Sequence, residues 1–172
     1  IAKGGGFIWF AAPKGGAGRL NPDTGEIKIY KLGQKFKSDK IIAMDTDRSG
    51  NIWLISAVNG LFKFEGDQFI NVVKNSDFKG YLLSIYFDRE GVMWLGSNKG
   101  LLRFDPDKPK EINRFFKPLK GVFIKSATVK DANNFWALSA FGMLKVKNKA
   151  YKPIGDKQGF TEARVNVIYC DR

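Results

Sequence analysis

Two carboxylates occupy matching places in the chain: Asp47 in Asp47-Arg48-Ser49-Gly50 and Asp88 in Asp88-Arg89-Glu90-Gly91. A pair of acids can do general acid–base work or hold a metal ion. A catalytic acid is expected once, however, whereas these recur at one place in a repeat. The expected role is therefore to cap a turn, the carboxylate accepting backbone N–H groups. Asn21-Pro22-Asp23-Thr24-Gly25-Glu26 and Asp105-Pro106-Asp107-Lys108 look like loose calcium loops. They lack the regular spacing of oxygen ligands and read as turns. The chain has no histidine, which removes the commonest general base and zinc ligand. Its one cysteine, Cys170, permits neither an internal disulfide nor a thiolate cluster. It falls on a strand position that favours an inert, buried thiol. The residues thus call for no catalytic centre, no metal and no cofactor.

The basic residues point elsewhere. Lys and Arg number 29 against 17 acids, a net charge of +12, which favours an acidic partner. An anionic glycan, nucleic acid and a membrane surface all fit that charge. The lysines are scattered, with no arginine-rich run and no RNA-binding sheet motif, so sequence-specific nucleic-acid readout does not follow. No apolar run approaches the ~20 residues of a membrane span. Ile1 to Gly6 show no signal-peptide layout, so the cellular address is not legible there. With 44% hydrophobic and 14% aromatic residues the chain builds a core.

The elements that position these residues come from a repeat. Trp9, Trp53, Trp94 and Trp136 are spaced 44, 41 and 42 residues apart. Each sits in a similar phrase, such as Gly50-Asn51-Ile52-Trp53-Leu54 and Gly91-Val92-Met93-Trp94-Leu95. A Gly-led apolar phrase follows: Gly60-Leu61-Phe62-Lys63-Phe64, Gly100-Leu101-Leu102-Arg103-Phe104 and, more loosely, Gly142-Met143-Leu144-Lys145-Val146. Each unit reads as four short antiparallel strands; in the second these are Ile41 to Thr46, Ile52 to Ser56, Leu61 to Phe64 and Gln68 to Val73. One unit cannot bury both faces alone, so neighbours stack and the tryptophans fill the gap between them.

The expected fold is all-β: a β-propeller segment of four Trp-marked blades, each of four antiparallel strands. The repeats run over about 1–40, 41–81, 82–123 and 124–164 within one domain spanning 1–172. Residues 165–172 supply the first strand of a further repeat, and the first repeat starts at its second strand. Two arrangements compete. Either Val165 to Asp171 pairs beside Ile8 to Ala11 and closes a four-bladed ring, or the chain belongs to a larger propeller of about seven blades.

These phrases resemble the two-component regulator propeller repeat of hybrid histidine kinase sensor ectodomains. The matching residues are Asp47 to Leu54 with Asn59 to Phe64, and Asp88 to Gly96 with Lys99 to Asp105. The first repeat is also similar to the virginiamycin B (streptogramin) lyase propeller, through Gly6 to Phe10 and Gly18 to Ile27. The fourth departs most, with Lys130-Asp131-Ala132-Asn133 in place of the Asp-x-x-Gly turn. The first resemblance implies an extracytoplasmic (periplasmic or secreted) sensor domain in signal transduction, within a membrane-anchored, dimeric parent. The second implies elimination chemistry with a histidine base and magnesium, and this chain has no histidine to carry it.

Candidate binding residues lie where the repeat breaks. In propellers the connections between second and third strands, and those between successive blades, meet at one face where ligands bind. They place Lys14, Lys40, Lys79, Tyr81, Lys99, Lys120, Phe123, Phe141 and Arg164 on one rim. Lysines beside aromatic rings suit an acidic sugar, charge for the carboxylate or sulfate and a ring for the sugar face. The leading expectation is ligand sensing, with acidic oligosaccharide as the ligand class. The alternatives are a protein-interaction scaffold and a fragment of a streptogramin lyase-like enzyme.

Overall fold

The structure, a computed structural model, describes residues 1–13, 15–33, 40–106, 108, 115–131, 134–140, 142–155 and 168. They fall into two compact units, Ile1–Leu82 and Leu83–Arg172.

The first unit holds two four-stranded antiparallel sheets in simple chain order. One comprises β1 (Ala2–Gly4), β2 (Phe7–Ala11), β3 (Ala17–Leu20) and β4 (Ile27–Tyr30). The other comprises β5 (Ile41–Thr46), β6 (Ile52–Ser56), β7 (Gly60–Glu65) and β8 (Gln68–Val73). One helical turn, α1 (Asn75–Phe78), follows and buries Phe78. The presence of β1 corrects the expectation that the first repeat lacks its opening strand. Ala2 lies opposite Trp9 and Gly4 opposite Phe7. The flank of β2 that the closed-ring alternative assigns to Val165 to Asp171 therefore carries β1 from Phe7 to Trp9. Of that segment only Ile168 lies within the described residues.

The second unit holds β9 (Leu82–Phe87), β10 (Met93–Ser97) and β11 (Gly100–Phe104), then β12 (Ile124–Asp131), β13 (Asn134–Ser139), β14 (Gly142–Lys147) and β15 (Ala150–Ile154). The last four form a meander, and the first three form a sheet extended by one bridge between Leu102 and Phe115. A 3-10 turn at Lys117–Leu119 leads on to β12.

Burial follows position within each sheet. Every residue of β6 and β10 is buried, which is why both read as continuous apolar runs rather than alternating ones. Two of the fourth strands are wet: β4 and β15 are exposed along nearly their whole length, whereas β8 buries Phe69 and Val73. Pro153 in β15 is tolerated because an edge strand need not donate on both sides. The first-to-second-strand turns are built alike in β5–β6 and β9–β10. Gly50 N–H donates to the Asp47 carbonyl at 3.0 Å, and Gly91 N–H to that of Asp88 at 3.0 Å. Both glycines have φ near +80° (81° and 84°), a region other residues seldom enter.

Candidate functional site

The repeated carboxylates serve their own turns. Asp47 Oδ1 accepts the N–H groups of Ser49 and Asn51, and its Oδ2 accepts Asn51 Nδ2 and the indole Nε1 of Trp53 at 3.0 Å. Asp88 accepts the N–H groups of Glu90 and Val92, and the indole of Trp94 at 2.8 Å. Burial alone would raise the Asp47 carboxyl, but the indole, the Asn51 amide and the backbone donors outweigh it, so its pKa lies below the usual value. Every close donor around these acids is thus an N–H of the same turn or of the following tryptophan. The Asn21 to Glu26 stretch is likewise a closed turn: Asn21 Oδ1 accepts from Asp23 and Thr24, and Asn21 N–H reaches the Glu26 carbonyl at 2.9 Å. Asp107 lies outside the described residues. Among those described, no group of three or more acids or thiols could hold a metal ion.

The sequence reading missed the indole–carboxylate bond, although its signal is visible: in both repeats the Asp stands six residues before the Trp. It also missed what the basic residue of each Gly-led phrase does. On the neighbouring strand Arg19 lies opposite Trp9, Lys63 opposite Trp53, Arg103 opposite Trp94 and Lys145 opposite Trp136. Three of these cations sit over the indole, at 5.8, 5.7 and 5.2 Å from the ring centre for Arg19, Lys63 and Lys145. Part of the chain's positive charge is therefore spent on cation–π contacts within its sheets. Trp9, Trp53 and Trp94 are buried, at 3% exposure or less. Trp136, expected in the core with them, is only partly buried.

The connections of the proposed rim do meet the second-to-third-strand turns. In the first unit, Ala57 of the β6–β7 turn donates its N–H to the Lys40 carbonyl at 2.9 Å, and its own carbonyl accepts Asn75 Nδ2 at 3.4 Å. One turn thereby ties down both the segment bearing Lys40 and the segment bearing Lys79 and Tyr81. Lys79 closes α1 in the left-handed conformation (φ 53°), and Tyr81 is 59% exposed. In the second unit, Gly121 N–H reaches the Lys99 carbonyl at 2.8 Å and Ala140 N–H the Phe123 carbonyl at 3.2 Å. Lys99, Lys120 and Phe123, the last 36% exposed, thus gather about one end. Lys14, Phe141 and Arg164 lie outside the described residues.

Glycines hold these ends together. A Cβ on Gly60 would lie 2.1 Å from the Val73 carbonyl oxygen, and one on Gly100 2.6 Å from that of Leu119. Only a residue without a side chain lets the backbone of the next connection pass so close.

Two pockets lie elsewhere. One of about 310 Å³ sits at the other end of the β10–β11 pair, lined by Val92, Met93, Arg103, Phe104 and Pro106 among others. The second, about 180 Å³, adjoins Trp136 and Lys145. Neither is lined by the rim residues.

No family model matches the sequence, and no curated protein matches it. Solved structures do match. The extracellular domain described as that of a hybrid two component system, BT4673, from B. thetaiotaomicron superposes with a TM-score of 0.74 at 17% identity. That match covers 99% of this chain and 24% of the other. Virginiamycin B lyase from Staphylococcus aureus gives 0.68 at 15% identity, covering 92% and 55%. YCF48 bound to D1 peptide gives 0.62 at 15% identity, covering 92% and 52%. The chain spans about a quarter of the length of the first of these and about half of the others. Both groups that the sequence phrases resemble are thus represented among structures of the same architecture. Four antiparallel meander sheets, each marked by one tryptophan, give the chain the fold of a β-propeller segment.

Proposed function

We propose that the chain is a ligand-recognising part of an extracytoplasmic, sensor-type propeller, and that its rim binds an acidic oligosaccharide. One observation carries this reading. Within each unit, hydrogen bonds to backbone carbonyls bring segments bearing lysines and an exposed aromatic ring to one end: Lys40, Lys79 and Tyr81 in the first, Lys99, Lys120 and Phe123 in the second. A ring offers a flat apolar face to sugar C–H groups, and ammonium groups pair with carboxylate or sulfate. The likeness to extracellular domains of two component systems supports the sensor role and the location outside the cytoplasm.

The test is a panel of uronate and sulfated oligosaccharides. Binding should appear, weaken as salt rises, and fall about tenfold or more when Lys79 and Tyr81 are changed to Ala, a loss of roughly 1.4 kcal/mol. Alanine and lysine are similarly disfavoured at the left-handed position, so the melting temperature should hardly move. A parallel fall in affinity and melting temperature would make both residues structural, and a blank panel would remove the sugar. The likeness to YCF48 bound to D1 peptide favours a second reading, a protein-interaction surface. Capture of one stoichiometric protein partner by the Lys79→Ala, Tyr81→Ala variant as well as by the unaltered chain would support it.

A further inference from the structure

The four basic residues opposite the tryptophans share a register but not their surroundings. Arg19 has three rings within reach of its guanidinium carbon: Phe7 at 4.4 Å, Tyr30 at 5.4 Å and Trp9 at 5.8 Å from the ring centres. Lys63 has the Trp53 ring at 5.7 Å and the Glu65 carboxylate at 3.4 Å. Lys145 has the Trp136 ring at 5.2 Å. Arg103 is exposed, and among the described residues it has no ring beneath it and no acid paired with it.

The reason is visible in the sequence. Phe7, the ring nearest Arg19, stands two residues before Trp9; the matching place before Trp94 holds Val92, which has no ring to offer. What adjoins Arg103 instead is the pocket of about 310 Å³, which it lines together with Val92, Met93, Phe104, Asp105 and Pro106. Met93 and Phe104, at 1% and 2% exposure, give it an apolar floor. A cavity of roughly 150 Å³ holds a benzene ring, so this one has room for a ring and one substituent. The guanidinium fork is matched to a carboxylate, which it binds through two parallel N–H···O bonds. Asp105 limits the charge: one carboxylate balances Arg103, whereas a phosphate dianion would be repelled by the like charge beside it.

We propose that the pocket beside Arg103 binds a small monocarboxylic acid carrying one ring. Its carboxylate lies on the guanidinium, and its ring takes the part that Phe7 plays in the first sheet. The site is built from the β10–β11 pair at the end away from Lys99, and it is independent of what the rim binds.

Calorimetric titration of the chain with benzoate, cyclohexanecarboxylate, their neutral amides, inorganic phosphate and sulfate tests it. Both acids should bind, at least about tenfold tighter than the amides or the inorganic anions. Arg103→Gln should remove that advantage over the amides and leave the melting temperature almost unchanged, because the side chain is exposed and unpaired among the described residues. Val92→Phe supplies the missing ring and should abolish binding of acids and amides alike by filling the pocket. Lys79→Ala combined with Tyr81→Ala should leave the affinity for benzoate as it was, which separates this site from the rim. The proposal is overturned if neither acid binds, if acid and amide bind equally, or if Arg103→Gln or Val92→Phe binds benzoate as well as the unaltered chain. Tighter binding of phosphate or sulfate also overturns it, since Arg103 would then be a general anion contact.

Discussion

In the first unit the indole of Trp9 lies among Tyr30, Phe64 and Phe69, with Arg19 stacked 4.4 Å from the Phe7 ring and Lys28 and Tyr30 both on Asp67. In the second unit Trp94 lies between Phe116 and Phe135, and its apolar cluster continues through Leu101, Leu119, Ile124 and Val129. Both arrangements close one sheet on the next with aromatic rings. The first adds exposed charge at its margin, and the second keeps its one bonded carboxylate, Asp88, buried on the indole. The first should therefore respond to pH and salt, and the second to side-chain truncation.

The largest effect should come from truncating the apolar cluster. Trp94→Ala removes a ring at 2% exposure and leaves its Asp88 partner facing a void, which should cost about 3–5 kcal/mol in denaturant unfolding. Breaking the turn carboxylates comes next. Asp88→Ala strands a buried indole N–H and two backbone donors, and should cost about 2 kcal/mol or more. Asp47→Ala should cost less, because water reaches the Ser49 and Asn51 donors. Equal losses at the two positions would mean that burial of the turn does not matter.

The smallest effect should be at the charged margin. Its hydrogen bonds to Lys28 and Tyr30 hold the Asp67 carboxyl below its ordinary value. A depressed folded pKa contributes stability that is present above the unfolded pKa, near 4, and is lost as pH falls through the lower folded value. Lys28 is shifted upward, chiefly by Asp67, so its contribution is complete below the ordinary lysine value and is lost as pH rises through the folded one. Asp67→Asn keeps a residue suited to φ 64° and removes only the charge. It should flatten the acid limb of the melting-temperature profile slightly, and 1 M salt should do the same to the unaltered chain. An Asp67→Asn variant with an unchanged profile between pH 2 and 5 would remove the distinction between the two regions.

Much of this architecture can be read from residue order. Three of the four strands in the second repeat keep the limits that Asp47 to Gly50 and Glu65 to Asp67 set for them, while the third runs Gly60–Glu65, one residue further at each end than Leu61 to Phe64. Strand β1 is not legible, because three residues followed by Gly5 and Gly6 carry no alternation and owe their pairing to β2. The turn of helix at Asn75–Phe78 is too short for a periodic signal; the buried Phe78 and the Asn75 amide on Ala57 hold it in place. At the rim, residue order does not reveal that Ala57 links the connections bearing Lys40 and Lys79. One half of that link is a backbone N–H on a backbone carbonyl, which no residue type announces; the other is the Asn75 side-chain amide.

The close backbone passage at Gly60 and Gly100 bears on how such a rim can change. Each glycine pins the foot of the outgoing connection at a set height above the preceding turn. Beyond that foot, length and composition are free to vary without disturbing the sheet beneath. The chemistry presented at that end can then be rewritten one blade at a time, as interchangeable cassettes on a common footing, provided the glycine stays.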